Sequence, residues 1–186
     1  MTPRRRAAVT IDAGRGGEVG ARLTLEGDRR VAIESGDALI DHLLGLAARR
    51  ARFDLAITTD GSAGAPEVED VATAFGRALR EALGAGGDIR GAGSATMPCR
   101  EALALVALDL SGRPYLAYDL DLVGVLIDEF DADLAGRFLR ALVEAAGITL
   151  HVRLLSGSDP HHIVDAVFEG LGEALRAACE TPAPGA

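Results

Sequence analysis

The chain has 186 residues, 48% of them apolar and 25% charged, which fits one folded domain or two small ones with a core of their own. Nineteen Lys and Arg against 28 Asp and Glu leave a formal charge of -9, an acidic balance that argues against a phosphate-backbone binder and so excludes nucleic acid as the expected partner. Two cysteines, Cys99 and Cys179, are too few for a disulfide framework, and no apolar run approaches the ~20 residues of a bilayer span, so no membrane partner and a cytoplasmic location are expected.

In chain order, a strand is predicted near Arg6 to Asp12, and Gly14-Arg15-Gly16-Gly17 reads as a turn. Leu23-Thr24-Leu25-Glu26-Gly27 and Val31-Ala32-Ile33 read as two short strands joined by a tight turn. A helix follows over about Ala38 to Arg50, then a strand at Phe53-Asp54-Leu55-Ala56-Ile57, then a long helix from about Ala65 with apolar residues at threes and fours. The same order then returns. A weaker strand spans about Ile89 to Pro98, interrupted by Gly91-Ala92-Gly93. Leu108-Asp109-Leu110-Ser111-Gly112 precedes Tyr115-Leu116-Ala117, a helix runs over about Leu134 to Ala146, Ile148-Thr149-Leu150-His151-Val152 forms a strand, and a final helix begins near His161. At one constant offset, Val68 falls on Val164, Glu69 on Asp165, Gly76 on Gly172, Leu79 on Leu175 and Arg80 on Arg176. The chain is therefore read as an internal repeat: residues 1–86 form one α/β repeat, 87–180 the second, and 181–186 a flexible tail, with the junction near Gly84 to Asp88. The fold class is α+β, a duplicated two-layer unit with a four-stranded, mainly antiparallel sheet and two helices per half.

The four histidines, His42, His151, His161 and His162, carry most of the chemical signal. His161 and Asp165 stand four apart at a helix start and share a face, while His162 points elsewhere. Imidazole with carboxylate suits manganese, iron or zinc better than calcium. Adjacent histidines opening a helix also serve as surface or capping residues, Asp41-His42 also reads as a buried hydrogen-bonded pair, and Glu69-Asp70 as an ordinary acidic first turn. Arg113, in the Ser111-Gly112-Arg113-Pro114 turn, either clamps a phosphate or faces solvent. No Gly-rich phosphate loop is present, and no nucleophile arrangement surrounds Cys99.

These segments resemble the imidazoleglycerol-phosphate dehydratase family over Leu23 to Ala178. Ile40-Asp41-His42-Leu43-Leu44 is similar to its Leu-Asp-His-Met-Leu segment, Phe53-Asp54-Leu55 to its Phe-Asp-Leu strand, and Pro98-Cys99-Arg100-Glu101-Ala102-Leu103 to its Pro-Met-Asp-Glu-Ala-Leu. Leu108-Asp109-Leu110-Ser111-Gly112-Arg113-Pro114 matches without a break, and Leu150-His151 with His161-His162-x-x-Asp165-Ala166-x-Phe168 follows its second metal motif, Asp165 replacing Glu. The resemblance implies a fold related to one domain of the GHMP kinases and self-association in a 24-subunit or trimer-based homo-oligomer with sites shared between subunits. It also implies a manganese-dependent lyase of histidine biosynthesis. That enzyme dehydrates D-erythro-imidazole-glycerol phosphate, an imidazole-containing small molecule, to imidazole-acetol phosphate. Carried over, His42, Glu69, His151, His161, His162 and Asp165 are the metal residues for Mn2+, His42, Glu69 and Asp165 are the catalytic ones, and Arg113 binds substrate, with Arg90 as a partial stand-in for basic charge that the family has and this chain lacks.

The family pattern is broken at several positions. Its first-repeat His-His-x-x-Glu-Asp is Ala65-Pro66-Glu67-Val68-Glu69-Asp70 here, its Thr-x-Glu-Thr falls on Gly14 to Gly17, its Arg-Phe-Gly becomes Gly91-Ala92-Gly93, and its Phe-Lys becomes Phe168-Glu169. Two imidazoles are thus lost, and Glu169 sets a negative charge where a substrate phosphate is expected. The expectation is a divergent member with partial manganese occupancy and reduced or altered activity. The alternative is a catalytically degenerate paralogue with a ligand-binding or assembly role.

Overall fold

The structure is a computed structural model that describes residues 5–14, 17–60, 66–84, 89–122, 124–127 and 130–182. Position 65, most of the predicted junction, the middle of the Gly14 to Gly17 turn and the end of the predicted tail lie outside these residues. The first half comprises β1 (Arg6–Asp12), β2 (Glu18–Thr24), β3 (Val31–Ile33), α1 (Ala38–Ala51), β4 (Asp54–Thr59) and α2 (Val68–Leu83). The second comprises β5 (Ala92–Cys99), β6 (Ala102–Asp109), β7 (Tyr115–Asp119), the short pair β8 (Leu126–Ile127) and β9 (Phe130–Asp131), α3 (Asp133–Ala146), β10 (Thr149–Ser156) and α4 (Pro160–Cys179).

Both four-stranded sheets have one topology, β1-β2-β4-β3 and β5-β6-β10-β7. Leu55 of β4 lies between Leu23 and Val31, and Leu150 of β10 lies between Leu108 and Leu116, so the duplication holds down to register. The strand pairing expected within each half needs correction. The two short strands are not a hairpin, because β4 and β10 insert between them and run parallel to β3 and β7. The helix between such strands supplies the crossover that a parallel pair requires.

Alternation and helical periodicity place the core. Ala102, Ala104, Val106 and Leu108 of β6 are buried while their neighbours are less so, and α2 buries Val68, Val71, Ala72, Phe75 and Leu79 along one stripe. α2 packs on β1 and β2, and α4 on β5 and β6. The two halves then join helix to helix: α2 against α3 and α4 against α1. Phe53, Phe75, Phe138 and Phe168 are fully buried in this arrangement, with the Phe138 and Phe168 rings 5.6 Å apart.

Glycines set how close the helices approach. A Cβ on Gly172 would lie 2.2 Å from the Ala47 carbonyl oxygen and 2.7 Å from Arg50 Cβ. On Gly76 it would lie 2.8 Å from Ala145 Cβ and 3.1 Å from the Leu142 carbonyl oxygen. α1 ends at Arg52 and α3 at Gly147, both in the left-handed conformation. Counted back from those caps, Ala47 corresponds to Leu142 and Arg50 to Ala145, so the two helix crossings are copies of each other. The predicted interruption at Gly91-Ala92-Gly93 is a close approach of this kind: Gly93 lies within β5, where a Cβ would meet the Ala174 carbonyl oxygen at 2.1 Å. No described helix is long and apolar enough to cross a membrane.

Candidate metal centre

The α4–α1 crossing brings together residues far apart in sequence. Asp37 caps α1 by accepting from the Ile40 amide at 3.0 Å, which leaves His42 one turn into the helix. At the start of α4, Asp159 accepts from the amides of His161 at 2.9 Å and His162 at 3.4 Å, and Pro160 occupies the first turn. Because α4 lies against α1 at Gly172, Asp165 faces α1, and its Oδ1 meets His42 Nε2 at 2.9 Å. Its Oδ2 lies 3.8 Å from His161 Nε2. The rings of His42 and His161 stand edge to face with centroids 5.8 Å apart. One ligand atom from each of His42, His161 and Asp165 falls within 4.8 Å of the others. Asp165 is the more buried member, 19% exposed against 42% and 47% for the two imidazoles, so the group opens to solvent on its imidazole side.

Two imidazole nitrogens and a carboxylate form a donor set that fits manganese, iron or zinc, so a metal-binding group is present at the level of ligand chemistry. The other expected ligands are elsewhere. Asp41 does not pair with His42; it accepts from the Ser35 hydroxyl at 2.6 Å and amide at 2.9 Å. His162 stacks beside His161 with centroids 6.4 Å apart, but its Nδ1 is 2.6 Å from Glu101 Oε2. His151 lies on the exposed face of β10 beside Tyr115, ring centroids 5.7 Å apart, while its neighbours Leu150 and Val152 point into the core. Glu69 is gripped by Arg137 of α3 through two bonds of 2.7 and 2.9 Å, and this guanidinium holds its carboxyl below the usual range. Within one chain, the start of α2 therefore meets α3 and the start of α4 meets α1.

The arginines expected to bind substrate lie far from His42, His161 and Asp165 within one chain. The Arg113 carbonyl accepts from Thr149 at the beginning of β10, whereas α4 starts at the other end of that eight-residue strand, about 23 Å away at strand rise. Arg90 pairs with Glu180 at 3.7 Å, beyond the last turn of the 20-residue α4 and about 30 Å from its start. The negative charge of Glu169 is paired, since Arg50 of α1 donates to it through Nε at 2.9 Å.

Glu101 lies inside a recognisable motif, yet nothing in the sequence pattern marks it as functional. It sits beyond Arg100, whose φ of 51° turns the chain between β5 and β6. Glu101 Oε1 accepts from the Asp159 amide at 3.1 Å while Oε2 engages His162, so one side chain fixes both the cap of α4 and the neighbouring imidazole. Its own amide, the Asp159 amide and His162 bring the Glu101 carboxyl from 4.5 down to about 2. A depressed value in the fold means that its stabilisation is complete above about 4.5 and is lost as the pH falls through about 2. The difference in thermal midpoint between the wild type and Glu101→Gln should therefore be constant above that window and shrink as the pH falls through it; a difference independent of pH would contradict this role. Cys99 shows no sign of nucleophilic activation, because burial and the charges of Asp165 and Glu169 push its thiol up.

A doubled α+β sandwich with an imidazole–carboxylate group where its halves cross defines a metal-binding class of protein. The family model for imidazoleglycerol-phosphate dehydratase matches residues 35–175. The chain belongs to the imidazoleglycerol-phosphate dehydratase family. It is 43% identical over 164 residues to the imidazoleglycerol-phosphate dehydratase of Desulforudis audaxviator (strain MP104C), covering 87% of this chain and 84% of that one. It is 40% identical over 183 residues to that of Xanthobacter autotrophicus (strain ATCC BAA-1158 / Py2), covering 95% and 85%. The crystal structure of the Staphylococcus aureus subsp. aureus N315 dehydratase superposes with a TM-score of 0.83 at 26% identity, covering 95% of this chain and 99% of that chain. The enzyme from Pyrococcus furiosus superposes with a TM-score of 0.78 at 30% identity, covering 95% and 94%.

Proposed function

We propose that this protein is a manganese-dependent hydro-lyase of histidine biosynthesis that dehydrates imidazole-glycerol phosphate, with activity reduced or altered from that of its relatives. The convergence of His42, His161 and Asp165 carries this reading. These three would hold the cation, which when bound supplies a positive charge able to polarise a coordinated imidazole. His42 Nε2 lies 2.9 Å from Asp165 Oδ1, so the imidazole and the carboxylate already face one point at which a cation would sit. Glu101 orients His162, and Asp159 fixes the backbone that carries both imidazoles of α4.

Arg113 and His151 fit the reading through a second copy of the chain. Both occupy exposed positions remote from the His42 group, so a neighbouring subunit would present His151 to the metal and Arg113 to a phosphate. His162 is carried by family likeness to the same composite site and Arg90 stands in there for a lost phosphate arginine, whereas Glu69 is held by Arg137. Assembly as a trimer-based or 24-subunit homo-oligomer would meet that need, and the repeat offset in the sequence is the ground for dividing the chain at 86/87. The acidic balance and the biosynthetic role favour a cytoplasmic location. The second reading, a degenerate paralogue that binds a ligand or only assembles, is favoured by Ala65 and Pro66, which supply no imidazoles, and by the capture of Glu69 by Arg137.

Turnover separates the two. The purified full chain with Mn2+ and imidazole-glycerol phosphate is expected to release imidazole-acetol phosphate, with rate abolished by chelation and restored by Mn2+. Manganese bound to folded, assembled protein without any turnover would instead establish the paralogue.

A further inference from the structure

The two helix crossings are copies, yet they carry different chemistry. Glu69 precedes Gly76 by the same interval that separates Asp165 from Gly172, and Arg137 precedes Leu142 as His42 precedes Ala47. The pseudo-symmetry therefore superimposes the Arg137–Glu69 pair on the His42–Asp165 pair. The polar contacts agree, at 2.7 Å between Arg137 Nε and Glu69 Oε1 and 2.9 Å between His42 Nε2 and Asp165 Oδ1. The position equivalent to His161 is Ala65, which has no donor atom. Glu67 adds a second carboxylate 3.6 Å from Arg137 Nη2.

At the α4–α1 crossing the carboxylate faces two imidazoles, which bind a metal in their neutral form; at the α2–α3 crossing it faces a guanidinium that stays charged at any working pH. A divalent ion entering beside Glu69 would have to break a two-bond, charge-assisted pair and would find no imidazole there. The donor set at this crossing does not fit a manganese ion. We propose that Arg137 replaces a metal ion at the first of two symmetry-related positions, so that each chain holds one exchangeable divalent cation, at His42, His161 and Asp165, and one permanent organic cation at Glu69. The inference rests on reading the His42 group as a cation site, and the two ideas fail separately.

The test is titration of the metal-free full-length protein with Mn2+, following free ion by electron paramagnetic resonance, with Glu69→Gln and Asp165→Asn alongside. The wild type is expected to bind about one Mn2+ per chain. Glu69→Gln is expected to keep that number with affinity changed less than about twofold, since its carboxylate already serves Arg137. Two ions per chain in the wild type, or loss of an ion in Glu69→Gln, would overturn the role of Arg137. The wild-type count decides the matter even where Glu69→Gln folds poorly. Unchanged binding in Asp165→Asn would overturn the underlying site instead, whatever Glu69→Gln does.

Discussion

Asp165→Asn is expected to weaken Mn2+ binding by at least about 100-fold, beyond what removal of an outer hydrogen-bonding partner causes. The carboxylate lies between two imidazoles, Oδ1 toward His42 and Oδ2 toward His161, and is the only anionic donor of the group. The amide keeps the shape but removes the charge that offsets the dication and the second anionic oxygen. Stability should change little, within about 1 kcal/mol, because the pairings between Asp165 and the two histidines are partly exposed and lie outside the core. Isothermal titration with Mn2+ and a thermal melt of the same sample check both halves of the expectation. Affinity within a few-fold of the wild type would remove Asp165 from the site.

Gly172→Val should damage both the fold and the metal centre. Its first side-chain carbon would enter 2.2 Å from the Ala47 carbonyl oxygen, a backbone atom that yields only if α4 and α1 separate. Overpacking at such a contact costs about 3 kcal/mol. Separation also draws His42 away from Asp165 and His161, so Mn2+ affinity should drop together with stability. Gly76→Val provides the comparison. It strains the equivalent α2–α3 crossing against Ala145 and Leu142, and should lower stability while leaving the metal affinity of the remaining folded protein close to wild type. Chemical denaturation and metal titration of the two variants check this; equal metal loss in both would show that the crossing at Gly172 has no special link to the centre.

Much of this architecture is legible in the sequence because it rests on local signals. The repeat offset, the helical stripes of α2 and α4 and the strand at Arg6–Asp12 follow from periodicity, and the structure returns them with boundaries shifted by a few residues. The strand pairing that differs has a nonlocal cause. Adjacency in sequence suggests a hairpin for β2 and β3, but the strand that fits between them comes only after α1. The candidate site shows the same division. His42, His161 and Asp165 stand out by residue type and position, and they converge. Glu69 stands out on the same grounds and lies with Arg137, because what faces a helix start depends on which helix crosses it. The sequence pattern of α3 marks its buried stripe but gives no sign that half-buried Arg137 reaches α2. The pairing of Glu169 is invisible in the sequence for the same reason, its partner Arg50 lying on a helix of the other half. The remoteness of Arg113 and Arg90 from His42, His161 and Asp165 becomes visible only when β10 and α4 have lengths and directions.

The central claim is tested most directly by an anomalous difference map from crystals of the full chain grown with Mn2+. The expected result is a manganese peak in coordination contact with His42, His161 and Asp165, with no peak beside Glu69 where Arg137 sits. A map with manganese bound elsewhere in the chain and none at those three side chains would contradict it.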